Sequence, residues 1–283
     1  PANAMKENSI TALFSGPAAG VVGATKSLQI SGYQNLITLD MGGTSTDVSL
    51  VENGILKLSS MTKIDGLPIK TPVVDISTVG AGGGSISWID DGGLLRVGPQ
   101  SAGADPGPAC YKKGGENPTI TDAHLIRGTI RAETFLGGNM DLDTQASEKV
   151  YEPLAKKLNL KIKDIADSSI KLAEANIVRA IQKVSTELGK DPRDYVLVGF
   201  GGAGPLHAAR VAEDLGIKTV IIPVDAGVLS AYGLLLSDHI YYKTRTKKLL
   251  INDQNIPEII NTFSNLEIET INYLKTVGIK NAQ

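Results

Sequence analysis

The chain has 283 residues, of which 42% are hydrophobic, and its 28 Lys and Arg against 30 Asp and Glu give a formal charge of −2. That is enough apolar side chain for one large domain or two small ones, and the charge balance gives no basis for binding nucleic acid or an anionic membrane. No apolar run reaches the roughly 18 residues of a membrane span and no signal peptide is visible, while a single cysteine, Cys110, forms no internal disulfide and suits a reducing cytoplasm.

Residues 15–30 are predicted as a helix of small side chains, with Ser15 as N-cap and Pro17 in the first turn. Strands follow at 36–40, 46–52 and 55–60, the last two joined by Asn53-Gly54, a strong hairpin signal. Between the first two lies Asp40-Met-Gly-Gly-Thr-Ser-Thr46. Two adjacent glycines allow positive φ and let a bulky anion come close. The N–H groups of such a turn form a nest that favours phosphate, and Asp40 at its mouth suits a Mg²⁺ held through water. A plain hairpin turn explains the same Gly-Gly pair, so the residues alone leave both readings open.

Residues 61–118 are rich in Gly and Pro, with one hairpin predicted from Ile86–Ile89 and Leu94–Val97 around Asp90–Gly93. A loop region of this length is often functional; a surface excursion is the alternative. Asp75 and Gly80–Ser85 are candidates for the border of a substrate site, with turn chemistry as the plainer reading. Asp105-Pro-Gly-Pro reads as a rigid turn, Cys110 as a packing residue, and Asp122 in Thr119-Ile-Thr-Asp-Ala123 as a helix cap.

Helices are predicted at 145–158 and 164–188, the second with Ile170, Ala173, Ile177, Ile181 and Val184 at helical spacing and Gly189 as its stop. A strand Tyr195–Gly199, the glycine loop 199–204, a helix from Pro205 to before Gly216, a strand Thr219–Ile222 and a helix at 227–236 form an α/β layer. A strand near 239–246 and a helix at 257–276 complete the reading. Gly199-Phe-Gly-Gly-Ala-Gly204 satisfies G-x-G-x-x-G, with Asp225 downstream, so a Rossmann-type NAD or FAD site is a rival. Such a fingerprint normally opens its domain, however, and it leaves the Asp40–Asp47 turn unused. His207 follows the loop and is placed either to approach a ligand or simply to pack. With three histidines (124, 207 and 239) and no His/Cys pair at zinc spacing, no transition-metal cluster is expected.

Five motifs stand in order: Ser15-Gly-Pro-Ala-Ala-Gly-Val-Val-Gly-Ala24, Leu39-Asp-Met-Gly-Gly-Thr-Ser-Thr-Asp47, Val79-Gly-Ala-Gly-Gly-Gly-Ser85, Ser101-Ala-Gly-Ala-Asp-Pro-Gly-Pro-Ala-Cys-Tyr111 and Gly199-Phe-Gly-Gly-Ala-Gly-Pro-Leu-His207. Together they resemble the hydantoinase A/5-oxoprolinase family over roughly residues 1–245. The resemblance implies an α/β fold, an actin-like (ribonuclease H-like) ATPase half with a mixed sheet and flanking helices. The expected domain spans 1–245, with a loop insertion at 61–118 and a helical insertion at about 119–160. Residues 246–283 are expected to begin a further, truncated helical segment.

The resemblance also implies ATP and Mg²⁺ as cofactors. It puts Asp40, Gly42, Gly43, Thr44 and Thr46 on phosphate and metal, and Gly201, Gly202, Ala203 and Gly204 near the adenosine. Asp40 and His207 are the catalytic candidates. The implied chemistry is ATP-driven opening of a small cyclic amide, of the hydantoin or 5-oxoproline type, through a phosphorylated amide. A hydantoinase B-type subunit is the expected partner. An ATP-dependent ketone carboxylase subunit and a non-enzymatic actin-like activator are the alternatives. Actin-like ATPases carry two phosphate turns and this chain has one Asp-x-Gly-Gly-Thr turn. The second is therefore expected in an N-terminal half of the same protein, and the isolated piece is expected to be inactive.

Overall fold

The computed structural model describes residues 15–59, 62–64, 67–69, 73–238, 241, 243–276 and 278–279. They belong to two units: Phe14–Ser59 with Val73–Ser237, and a smaller one drawn from Pro1–Leu13, Ser60–Pro72 and Asp238–Gln283.

The larger unit begins with α1 (Ser15–Gln29), which opens at Ser15 itself. Next come β1 (Leu36–Met41), β2 (Thr46–Glu52), β3 (Ile55–Leu56) and β4 (Leu58–Ser59). β5 (Thr62–Ile64) and β6 (Leu67–Ile69) pair antiparallel within the smaller unit. The larger unit resumes with β7 (Val73–Val74), β8 (Ile76–Val79), β9 (Ser85–Ile89) and β10 (Leu95–Ser101). α2 (Ile120–Arg127), α3 (Thr144–Leu158) and α4 (Ile162–Val184) follow, then β11 (Val196–Phe200), α5 (Gly204–Leu215), β12 (Val220–Ile221) and α6 (Leu229–Leu236).

A mixed sheet in the order β12-β11-β1-β2-β3 forms the centre, with β8 on the outer edge of β2. The meander β1–β2–β3 is antiparallel, and β11 runs parallel to both β1 and β12. Asn53 and Gly54 both take positive φ, 53° and 73°, as a type I′ hairpin requires. The predicted strand 55–60 breaks after Leu56, because Leu58 and Ser59 pair instead with Val74 and Val73. The mixed sheet and flanking helices expected of the fold class are therefore present.

Strand residues alternate faces, and the register makes the two faces explicit. On one face Ile37, Leu39, Val48, Leu50 and Leu197 meet Ile177 and Ile181 of α4 and Ala208 and Val211 of α5. On the other, Leu36, Val51, Val198 and Phe200 meet Val21, Ala24 and Leu28 of α1 and Leu229 of α6. Each fully enclosed aliphatic side chain contributes roughly 1.5–3 kcal/mol. α1 and α6 meet backbone to backbone: a Cβ on Gly233 would overlap Ala19 and Gly23. This accounts for the small side chains of α1.

α4 ends at Val184; a separate 3₁₀ turn, Thr186–Leu188, leads to Gly189 at φ 75°. In the smaller unit, α7 (Ile256–Thr276) is present as expected. The strand expected near 239–246 is not: residues 241 and 243–246 are not in a strand, and 239, 240 and 242 lie outside the described residues. Lys243 and Arg245 pair instead with Glu269, and Lys247 with Glu258, so this stretch lies along the helix. Among the described residues no helix is long and apolar enough to cross a membrane.

Asp122 ties the 61–118 region to the helices. Fully buried, it accepts hydrogen bonds from Thr119 N (3.1 Å) and Oγ1 (2.7 Å), Ala109 N (3.3 Å), Cys110 N (2.9 Å) and Ser147 Oγ (2.7 Å). With Thr119 it completes the capping box of α2. Burial and the Asp122 charge push the Cys110 thiol well above its usual range, so it packs rather than attacks. Asp122→Ala leaves several buried donors without an acceptor and should lower the unfolding free energy by about 3–5 kcal/mol in equilibrium denaturation. A loss under about 1 kcal/mol would contradict this account.

Candidate functional site

The site begins with register. Leu36 to Asp40 of β1 pair in parallel with Val196 to Phe200 of β11, so both strands end at the same edge of the sheet. The turn after β1 and the glycine loop after β11 are consequently neighbours. Ala203 N donates to Met41 O at 2.9 Å, and a Cβ on Gly201 (φ 77°) would overlap Asp40 Oδ1 and Met41 O.

A third glycine loop joins them. Gly83 N donates to Gly42 O (3.0 Å) and Gly84 N to Gly43 O (2.6 Å). Thr46, fully buried, donates its hydroxyl to Ala81 O at 2.5 Å. Thr121 of α2 holds Gly83 O through both its N–H and its hydroxyl. Residues 81–85 are buried, so this part of the 61–118 region is an interior brace, not a surface excursion.

The brace has a chemical consequence. It takes up the carbonyls of Gly42 and Gly43, and Gly42 N is bonded to Ser45 O (3.0 Å). The N–H groups of Gly43, Thr44 and Ser45 meet no acceptor among the described residues, and Gly43 and Thr44 are exposed. The result is a cluster of unpaired donors on an exposed turn, the arrangement that favours an anion.

The glycines divide into two kinds. A Cβ on Gly82 would come within 2.6 Å of Gly43 O, and one on Gly84 within 2.9 Å of the same atom; these are glycines for packing. Gly42 and Gly43 lack the positive φ expected from the sequence. A Cβ on Gly43 or on Gly202 would meet nothing within 4 Å, and on Gly42 only Ser45 O at 4.0 Å. No contact inside the fold requires glycine at these three positions.

Asp40 and Asp47 are directly paired across β1 and β2 and share the face that carries α1 and α6. Desolvation raises Asp40, the Asp47 charge raises it further, and a 3.3 Å hydrogen bond from Ser230 Oγ works against both. Desolvation also raises Asp47, opposed by Thr78 Oγ1 at 2.5 Å. Two desolvated carboxylates side by side favour a cation. Among the described residues no cluster of three or more His, Cys, Asp or Glu side chains could hold a metal. Any divalent ion here would complete its shell from water and ligand oxygens.

His207 lies behind the loops, fully buried. Its Nδ1 is 3.4 Å from Glu174 Oε1 and its Nε2 is 3.2 Å from His124 Nε2. His124 carried no role in the sequence reading. Burial first, then His207 and Arg127, lower it to about 3. Asp75 pairs with Lys57 at 3.0 Å, and Asp225 is exposed. The Rossmann reading loses ground, since Gly201 N and Ala203 N are already bonded to Ala226 O and Met41 O. A separate groove of about 450 Å³ lies in the smaller unit, between Lys243–Ile251 and α7, away from this chemistry in sequence; its cations Lys243 and Arg245 both pair with Glu269, and Lys247 pairs with Glu258.

The two kinds of titrating group act on stability with opposite sign. Ionised Asp40 and Asp47 cost stability above the usual carboxylate range, and that cost is relieved as pH falls through their raised values. Neutral His124 contributes stability that is full above about pH 6.5 and is lost as pH falls toward its lowered value. Asp47→Asn keeps an acceptor for Thr78 and removes the repulsion, so it should raise the thermal midpoint at pH 7 by roughly 2 °C or more. A fall in the midpoint would contradict the like-charge assignment.

The hydantoinase/oxoprolinase family model matches residues 1–243. The caprolactamase subunit alpha of Pseudomonas jessenii is 41% identical over 255 residues, covering 90% of this chain and 37% of its own length. The crystal structure of the ATP-dependent caprolactamase from that organism has a TM-score of 0.77 at 38% identity, covering 93% of this chain and 38% of its own. 5-Oxoprolinase 1 of Arabidopsis thaliana is 40% identical over 245 residues, covering 80% of this chain and 19% of the relative. A nucleotide-free acetone carboxylase structure has a TM-score of 0.79 at 31% identity, over 93% of this chain and 38% of its own. The chain thus spans about two-fifths or less of the length of these relatives. With the family's match running through all three glycine loops, the chain belongs to the hydantoinase/oxoprolinase family.

Proposed function

We propose that this chain is the nucleotide-binding core of an ATP-dependent amidohydrolase that opens a cyclic amide of the hydantoin or 5-oxoproline type. One observation carries the reading: the unpaired N–H groups of Gly43, Thr44 and Ser45 lie in the turn that joins the directly paired Asp40 and Asp47. In this reading Gly43 and Thr44 hold phosphates and Gly42, its N–H and carbonyl both taken, leaves room for their approach, while Gly201, Gly202, Ala203 and Gly204 lie against the adenosine. Thr46, its hydroxyl taken by Ala81 O, keeps the turn in shape. A Mg²⁺ ion held through water by Asp40 would supply charge neutralisation for the transferred group.

The chain's own contribution is a set of backbone dipoles fixed in advance by the brace, which need no reorganisation when charge develops. The substrate's amide oxygen bonds to the γ-phosphorus as the bond to ADP breaks. Water then adds to the activated carbonyl, the ring C–N bond opens with a proton passing to the departing nitrogen to leave an acyl phosphate, and a second water cleaves this to carboxylate and phosphate. His207 is shielded from solvent and acts behind the loops. The lactam-ring relatives favour this chemistry. Likeness to an acetone carboxylase supports a second reading, an ATP-dependent ketone carboxylase subunit.

The whole enzyme, in this proposal, is cytoplasmic and works with a hydantoinase B-type subunit, since one relative is itself a subunit. A second phosphate turn comes from the N-terminal half of the same protein. The 283 residues alone then bind ATP weakly and do not turn it over. Turnover of a cyclic amide by the full-length protein with its partner would separate this reading from a carboxylase or a non-enzymatic activator.

Gly43→Ala should leave the thermal midpoint within about 1 °C of the parent, because nothing in the fold meets its Cβ. The same change should weaken Mg-ATP binding by roughly tenfold or more in calorimetric titration of the full-length protein. Asp40→Asn should mainly lower turnover, since the donor cluster survives. Unchanged ATP affinity in Gly43→Ala would remove the turn from the nucleotide site.

A further inference from the structure

We infer that Glu174, His207 and His124 form one directional hydrogen-bond chain that holds α2 and α5, and with them the second and third glycine loops, in fixed relation. The three come from α4, α5 and α2 and are at most 3% exposed. Both histidines sit one turn inside helices whose first turns touch the loops. Thr121, which holds Gly83 O by two hydrogen bonds, is three residues before His124. Gly204, whose Cβ would press on Leu39 O, is three residues before His207. Residues three apart share a helix face, so the ring pair bridges the two helices just behind the contact of the loops.

Protons can be placed by elimination. A carboxylate only accepts, so His207 Nδ1–H donates to Glu174. His207 Nε2 is then an acceptor, and His124 Nε2–H donates to it. His124 Nδ1 is left as a bare acceptor, and it has no hydrogen-bond partner among the described residues. In this arrangement a second proton on His207 would set two N–H groups against each other across 3.2 Å. Charging His124 would be opposed by Arg127, which faces it from the same helix and is itself paired with Asp167 at 3.4 Å. With Glu174 ionised and both rings neutral, this is the one pair of tautomers in which both contacts are hydrogen bonds. The chain acts through the loops, as a positioning device, and its link to nucleotide binding rests on the function proposed above.

The test has two parts that do not depend on the nucleotide. Nitrogen-15 NMR of histidine-labelled protein should show His207 as the Nδ1–H tautomer and His124 as the Nε2–H tautomer at pH 8, with His124 still neutral at about pH 5. A charged His124 at pH 6, or a proton on its Nδ1, would overturn the chain. Amide hydrogen exchange should then quicken by roughly tenfold or more at Gly83, Gly84 and Ala203 in His124→Leu, with β1 unchanged. His124→Gln, which keeps a donor where Nε2 stood, should restore protection. Unaltered exchange in His124→Leu, or loss of protection that Gln fails to restore, would overturn the positioning role. Calorimetry with Mg-ATP on the full-length forms separates the two claims. If the loops loosen as described but the parent protein binds no Mg-ATP, the nucleotide reading falls and the positioning chain stands.

Discussion

Parallel pairing of β1 with β11, unbroken from Leu36–Val196 to Asp40–Phe200, is the constraint on which the site depends. Two loops far apart in sequence share a sheet edge because their strands end together. A slip of one residue would turn Asp40 to the opposite face, where Ile37, Leu39 and Met41 now fill the core. The burial of those three side chains therefore also fixes where the carboxylate points. Once the edge is set, the backbone bonds from Gly83 and Gly84 to the carbonyls of Gly42 and Gly43 decide which polar groups of the turn are spent and which stay open.

The open groups are opposite in character. Backbone donors gather at Gly43–Ser45, while Asp40 and Asp47 repel one another and are both partly desolvated. Neither arrangement helps an isolated chain fold. A polyanion carrying a divalent cation would satisfy both at once, the anion on the donors and the cation on the carboxylates. That complementarity connects the strain of the site to the function proposed for it.

Much of this was legible in local pattern. Apolar runs mark β1 and β2, Asn53-Gly54 marks the hairpin of β2 and β3, and Gly189 and Gly216 mark helix ends by taking positive φ. The Thr119–Asp122 cap was also readable, though not the other three donors that converge on Asp122. What stayed hidden depends on partners distant in sequence. Nothing near Thr46 signals that its hydroxyl goes to Ala81 O, 35 residues on. Gly42 and Gly43 suggested positive φ, yet glycine is demanded by the fold at Gly82 and Gly201 instead. His124 became visible only when α2 met α5, 83 residues apart in the chain at the ring contact. The strand expected near 239–246 failed because its alternating Lys and Arg pair with acids on α7.

The central claim is that the braced turn and the loop after β11 form one nucleotide site. Backbone amide NMR during titration of the full-length protein with Mg-ATP tests it most directly. The account predicts that the largest shifts fall together on Gly43, Thr44, Ser45 and Gly202, with the already bonded amides of Gly83 and Gly84 moving less. Shifts confined to other regions, such as the groove beside α7, or no shifts at millimolar nucleotide, would contradict it.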